Sequence, residues 1–194
     1  MAQRVDWGAV LSDAKTTRDF REFNWDGSFF EYLDLVKEKP FIARNAFQRM
    51  YDMIVSWGTT TYVEYKKNII HYKFFEDTIE GGRDAVFGLD IPLMKLVHFF
   101  KSAALGYGTE KRVLLLHGPV GSAKSTIARM LKKGIEHYSR TEEGALYTFK
   151  WIDPDGKFGD ILGNAKEVLS PMHEDPLKLI PEEYRKKMIE EINR

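Results

Sequence analysis

Val113-Leu114-Leu115-Leu116-His117-Gly118-Pro119-Val120-Gly121-Ser122-Ala123-Lys124-Ser125-Thr126 is the stretch that decides the fold, together with Ile127, Met130, Leu131, Ile135 and Tyr138 at helical spacing after it. Val113 to Leu116 is a short continuous apolar run preceded by Lys111 and Arg112, as expected of a buried strand in a parallel sheet. Glycines then interrupt the chain, and the recurrence after Lys124 predicts a helix with one apolar face. Strand, loop and helix in that order place the region in the α/β class.

The loop has the residues needed to hold a polyphosphate. Gly118 and Gly121 let the backbone wrap closely with several N–H groups turned inward. Pro119, Val120, Ser122 and Ala123 complete the turn, and the helix opening near Lys124 adds unpaired N–H groups and the positive end of its dipole. Lys124 is the expected catalytic charge stabiliser for β- and γ-phosphate oxygens. Ser125 is the expected Mg²⁺ ligand, and Thr126 closes the motif. The expected cofactors are therefore ATP and Mg²⁺. Ala123 stands where the Walker A pattern G-x-x-x-x-G-K-[ST] has its second glycine. It is expected to be harmless on the premise that residue 123 is already helical with negative φ. MCM-type helicases and MoxR-type ATPases end this loop in Ala-Lys-Ser or Ala-Lys-Thr, so the variant resembles a branch of AAA+ loops. The bland alternative is a strand-to-helix turn with no ligand.

Outward from the loop, an amphipathic helix is expected through Leu96, Val97, Phe100 and Ala104, ending at Gly106-Tyr107-Gly108. Gly81-Gly82 marks a turn and an expected boundary between a helical N-terminal region (1–80) and an incomplete P-loop domain with a parallel sheet (81–194). Within the first region, Ser28 and Glu31 form a capping box that starts a helix, with Phe29, Leu33 and Val36 on one stripe until Pro40. Ala46, Met50, Ile54 and Trp57 form a second stripe before Gly58. Core packing is the first reading of these aromatic stripes and a peptide groove the second. Residues from Tyr62 to Phe75 favour an extended segment. After the loop helix, Phe149 to Asp153 reads as a structural strand followed by a turn at Pro154, and Pro181-Glu182-Glu183 opens a last helix.

Composition excludes several classes. With 29 basic and 29 acidic residues among 194 the formal charge is zero, so no basic surplus points to nucleic acid or an anionic membrane. The chain is 43% hydrophobic and 13% aromatic, enough for a packed core. Cysteine is absent, which removes disulfides, thiolate metal sites and cysteine nucleophiles. The first residues lack a basic region followed by an apolar stretch, and no window approaches a membrane span, so a cytoplasmic location is expected.

Phe87-Gly88-Leu89, the loop through Thr126, Tyr147-Thr148-Phe149-Lys150-Trp151, and Ser170-Pro171-Met172-His173-Glu174-Asp175-Pro176-Leu177 with Leu179-Ile180-Pro181 together resemble the PrkA-type serine protein kinases. The likeness covers nearly the whole chain, with Ser170 where relatives are expected to carry cysteine. It implies an AAA+ ATPase module using ATP to phosphorylate serine on protein substrates, and a homo-oligomer when full length. It also implies that Phe87 and Gly88 help wrap the adenine, and it associates relatives with sporulation and stress.

An acidic strand end for Mg²⁺, sensor residues and arginine fingers are expected beyond Arg194, since Asp153 lacks the run and the neighbouring glutamate of a Walker B strand. H-R-D, D-F-G and V-A-I-K kinase signatures are missing, Thr17-Arg18-Asp19-Phe20 being only a fragment of likeness. The five histidines show no metal spacing, and His117 is expected to be packed at the strand end. Two other functions stay open: an AAA+ subunit for protein remodelling or ATP-dependent proteolysis, and a nucleotide-binding fragment inactive on its own.

Overall fold

The computed structural model describes residues 25–192 apart from 65, 154, 156, 158–165 and the side chain of residue 192. The first residues, Thr17–Phe20 and Pro154 lie outside the described residues. Two compact units emerge: Arg44–Gly144 forms one, and Met1–Ala43 with Ala145–Arg194 forms the other. Each has its own core.

The discontinuous unit begins its described part with α1 (Phe29–Glu38). The expected capping box is present: Glu31 N–H donates to Ser28 Oγ at 3.3 Å and Ser28 N–H to Glu31 Oε2 at 2.7 Å. Such caps are worth about 1 kcal/mol. Tyr32 and Val36 are buried against Ile42 and Leu177, with Tyr147 and Met188 alongside. The Tyr32 hydroxyl donates to Asp175 Oδ1 at 3.0 Å, and the same oxygen accepts Leu177 N–H at 2.8 Å. Asp175 thereby caps the short turn Pro176–Leu179, although burial pushes its carboxyl above the usual range. Strands β1 (Lys150–Ile152) and β2 (Glu167–Leu169) pair antiparallel, Trp151 opposite Val168. Asp153 follows as a turn residue, its Oδ1 accepting Lys157 N–H at 3.1 Å. The last helix is α2 (Glu182–Ile192), where Pro181 predicts it.

The continuous unit holds α3 (Ala46–Ser56), the antiparallel hairpin β3 (Thr59–Glu64) and β4 (Lys67–Tyr72), α4 (Asp90–Ala104) and α5 (Lys124–Tyr138). A second capping box, Asn45 with Gln48, starts α3. Met53 and Ile54 of α3, Phe74 and Phe75 after the hairpin, Leu93, Leu96, Val97 and Phe100 of α4, and Ile127 and Met130 of α5 form one core. Each such side chain contributes roughly 1.5–3 kcal/mol by leaving water. Gly134 of α5 lets the helix approach closely, since a Cβ there would lie 2.5 Å from Phe74 Cε2 and 2.7 Å from Met53 Sδ. Arg49, buried in the same unit, donates to Gly144 O at 2.6 Å and Ser139 Oγ at 3.2 Å, holding the chain past the end of α5. Leu33 and Val36 of the α1 stripe and Met50, Ile54 and Trp57 of the α3 stripe thus pack into the cores, while Ala46 is exposed and Phe29 belongs to neither core.

Gly81-Gly82 has the positive φ of a turn and lies within the Arg44–Gly144 unit, whose core takes side chains from both sides of it. Two expectations about the sheet change. Both sheets among the described residues are two-stranded and antiparallel. Val113–Leu116 pairs with no strand there, and Val113 and Leu115 are 95% and 79% exposed. A parallel strand is buried by flanking strands and by helices on both faces. Here only Leu116 packs against the core.

Candidate phosphate-binding site

The loop from Gly118 to Ala123 leads directly into α5, as its composition predicts. Gly118 leaves room for the Ser122 hydroxyl: a Cβ there would stand 2.8 Å from Ser122 Oγ and would push that side chain to another rotamer. Gly121 is required by its backbone, at φ +83°. Ala123 corrects the expectation for that position. Its φ is +56° and ψ 12°, a left-handed residue immediately before the helix, so its methyl group carries the strain that glycine avoids, about 1–2 kcal/mol. The partly buried methyl packs against the core in return.

Lys124 folds back over the loop. Its Nζ donates to Gly118 O at 2.9 Å, Pro119 O at 2.5 Å and Ser122 Oγ at 2.9 Å. All three acceptors are neutral, and an anionic oxygen forms a stronger, charge-assisted bond with an ammonium. The amides of Lys124, Ser125 and Thr126 lie in the first turn of α5, where no intrahelical carbonyl is available to them. The chemistry of these donors therefore fits a phosphate chain. Ser125 is exposed at the second helical position, next to Lys124, as a metal-ligating hydroxyl must be, and Thr126 is half-buried behind it. Val120 is fully exposed at the tip, so any part it has in binding is through its main chain.

A cleft of about 430 Å³ opens beside the loop, lined by Gly118, Pro119, Ser122 and Lys124 and by apolar side chains of α4 and the Val113–Leu116 run. Leu89 lines it, whereas Phe87 and Gly88 do not; Phe87 is 78% exposed. His117 is exposed on the cleft wall rather than packed. Lys95 and Leu96 also reach the wall, a role hidden in the ordinary amphipathic pattern of α4.

A cationic clamp fixes the loop helix from the side. Asp77, Glu80 and Asp84 bring carboxylate oxygens within 4.8 Å of one another, a grouping that could hold a cation. The positive charge there comes from α5 itself. Arg129 grips Asp84 through Nε at 2.7 Å and a terminal nitrogen at 2.6 Å, and Lys133 bonds Glu80 at 2.5 Å and Asp84 at 3.2 Å. The Arg129 hydrogen bonds hold the Asp84 carboxyl far below the usual range. Asp77, left-handed at φ +53°, completes the knot by accepting Asp84 N–H at 2.7 Å.

A family model described as the PrkA AAA domain matches residues 27–193. The chain is similar to the "ATP-dependent protease PrkA" of Bacillus subtilis (strain 168), 37% identical over 172 residues that make up 88% of this chain and 23% of that protein. It is also similar to the "Uncharacterized protein in gldA 5'region" of Geobacillus stearothermophilus, 37% identical over 106 residues, 54% of this chain and 98% of that protein. No solved structure matches. The chain thus spans about a quarter of the length of the Bacillus relative. Among the described residues no helix is long and apolar enough to cross a membrane.

Proposed function

The chain belongs to the PrkA AAA domain family, and on that premise we propose that it binds ATP with Mg²⁺ at residues 118–126 to drive a reaction on protein substrates. The observation that carries this reading is the Lys124 ammonium, held over a glycine loop by two carbonyls and a hydroxyl at the start of a helix. When bound, ATP supplies a transferable phosphoryl group. Lys124 would neutralise the phosphate oxygens, the Ser125 hydroxyl would bind the metal, and the first-turn amides of α5 would orient the chain. Exposed Phe87, two residues before cleft-lining Leu89, is the candidate to stack on the base.

Two uses of the ATP remain. Phosphorylation of serine on proteins follows from the resemblance of the sequence to PrkA-type kinases. ATP-dependent proteolysis or remodelling, by a homo-oligomeric AAA+ assembly, is favoured by the name of the Bacillus relative. Transfer of labelled phosphate to a casein-like protein by the full-length protein, contaminating kinases excluded, separates them. Serine label that disappears with Lys124→Ala supports the kinase; Lys124-dependent ATP turnover with no label supports the second. Turnover measured on the 194 residues alone decides whether this portion is active by itself.

A further inference from the structure

We propose that the Ser122 hydroxyl competes with phosphate for the Lys124 ammonium: it holds Lys124 in a closed loop and must give the ammonium up as a polyphosphate enters, so Ser122 sets how fast and how tightly nucleotide binds. The inference rests on the reading of residues 118–126 as an ATP site and adds a positioning residue that the Walker A pattern leaves unspecified.

Three distances put this one hydroxyl at the centre of the loop. Ser122 Oγ donates to Pro119 O at 2.8 Å, accepts from Lys124 Nζ at 2.9 Å, and stands 2.8 Å from where a Cβ on Gly118 would be. Groups from positions 118, 119 and 124 therefore surround a single side-chain oxygen. A phosphate oxygen needs the Lys124 ammonium that the Ser122 oxygen accepts from, and as a charged acceptor it outbids the neutral hydroxyl for it. The half-buried Ser122 side chain also lines the mouth of the cleft beside the loop. Releasing the ammonium breaks the one Lys124–Ser122 hydrogen bond, and the hydroxyl can follow by rotation about one bond. Removing the hydroxyl leaves Lys124 with two carbonyl acceptors and an open centre.

Stopped-flow and equilibrium binding of a fluorescent ATP analogue with Mg²⁺ to the full chain test this, comparing wild type, Ser122→Ala, Ser122→Thr and Lys124→Ala. Ser122→Ala is expected to bind about 5-fold tighter, the factor for one net hydrogen bond that no longer has to be broken, chiefly through faster association. Ser122→Thr keeps the hydroxyl and is expected to stay near wild type. A purely structural role would shift the melting temperature without speeding association. Equal or weaker binding by Ser122→Ala, with Lys124→Ala impaired, overturns the competition and makes Ser122 a bystander or a phosphate ligand. Unimpaired binding by Lys124→Ala overturns the ATP-site reading and this inference with it. Should Ser122→Ala fail to melt cooperatively, Ser122→Gly is read by the same criteria.

Discussion

Arg129 holds Asp84 with two nitrogens, Nε to Oδ2 at 2.7 Å and a terminal nitrogen to Oδ1 at 2.6 Å, so the helix that carries the phosphate-binding loop is tied to the turn just after Gly81-Gly82. A fork-to-fork pair of this kind fixes orientation as well as distance. It allows α5 little rotation about its axis, and the first turn of that helix is what would face the phosphates.

Asp84→Asn keeps the shape of the side chain and removes the charge that Arg129 and Lys133 share. The folded carboxyl titrates below its unfolded value near 3.8, so its stabilisation is present above that pH and is lost as pH falls through the folded value. The variant is expected to be less stable than wild type at neutral pH, with the gap closing under strong acid. Urea unfolding followed across pH measures it; an equal gap at all pH values contradicts the clamp.

Ala123→Gly relieves a left-handed alanine, and glycine returns part of that gain through the greater freedom of the unfolded chain. The expected net effect is stabilisation of about 0.5–1 kcal/mol with nucleotide binding retained. Ala123→Val is expected to lose stability, because branching at Cβ makes a positive φ harder still. Chemical denaturation of the three proteins decides the matter, and a less stable glycine variant would show that the packed methyl outweighs the strain.

Gly134→Ala runs against ordinary helix propensity. Alanine should gain about 1 kcal/mol in a helix interior. Its Cβ would instead meet the Phe74 ring at 2.5 Å and Met53 Sδ at 2.7 Å, and both side chains are buried. Overpacking of this kind costs about 1–3 kcal/mol, so net destabilisation is expected. A higher melting temperature for the variant would mean that α5 does not sit this close to the Phe74 turn.

Much of the helical part is readable locally. Ser28 with Glu31 and the stripe through Val36 are short-range signals, and α1 begins and ends where they place it. Pro181-Glu182-Glu183 behaves the same way. Pairing is not local, and there the sequence misleads. Val113–Leu116 has the composition of a central strand, but composition does not say which residues will flank it. The hairpin is half-legible because the β4 residues Ile70 and Tyr72 pack on the core while β3 is exposed throughout. At the loop, residue types reveal the phosphate chemistry, yet the sign of φ at Ala123 depends on how the loop closes, and Ser122 looks like filler until its hydroxyl is seen among Pro119, Lys124 and Gly118.

His71 lies between two carboxylates, Nε2 2.9 Å from Glu76 Oε1 and Nδ1 2.7 Å from Asp90 Oδ1, while the Tyr62 hydroxyl donates to the other Asp90 oxygen at 2.8 Å. The hydrogen bond to Glu76, then that to Asp90, raises the imidazole above its ordinary value of 6.5. The charged form therefore stabilises the fold fully below that pH, and the contribution is lost as pH rises through the folded value. His71→Gln should lower stability at pH 6 more than at pH 9. A pH-independent difference would mean that His71 packs as a neutral ring.

Lys124 is the phosphate-binding cation of the proposed site, and calorimetric titration of ATP, with and without Mg²⁺, into wild type and Lys124→Ala measures that role. Loss of a charged hydrogen-bonding partner of about 1.5–3 kcal/mol predicts affinity weakened by roughly 10-fold or more, with the melting temperature of the ligand-free protein little changed. Equal affinity in the two proteins would contradict the assignment of residues 118–126 as the nucleotide site.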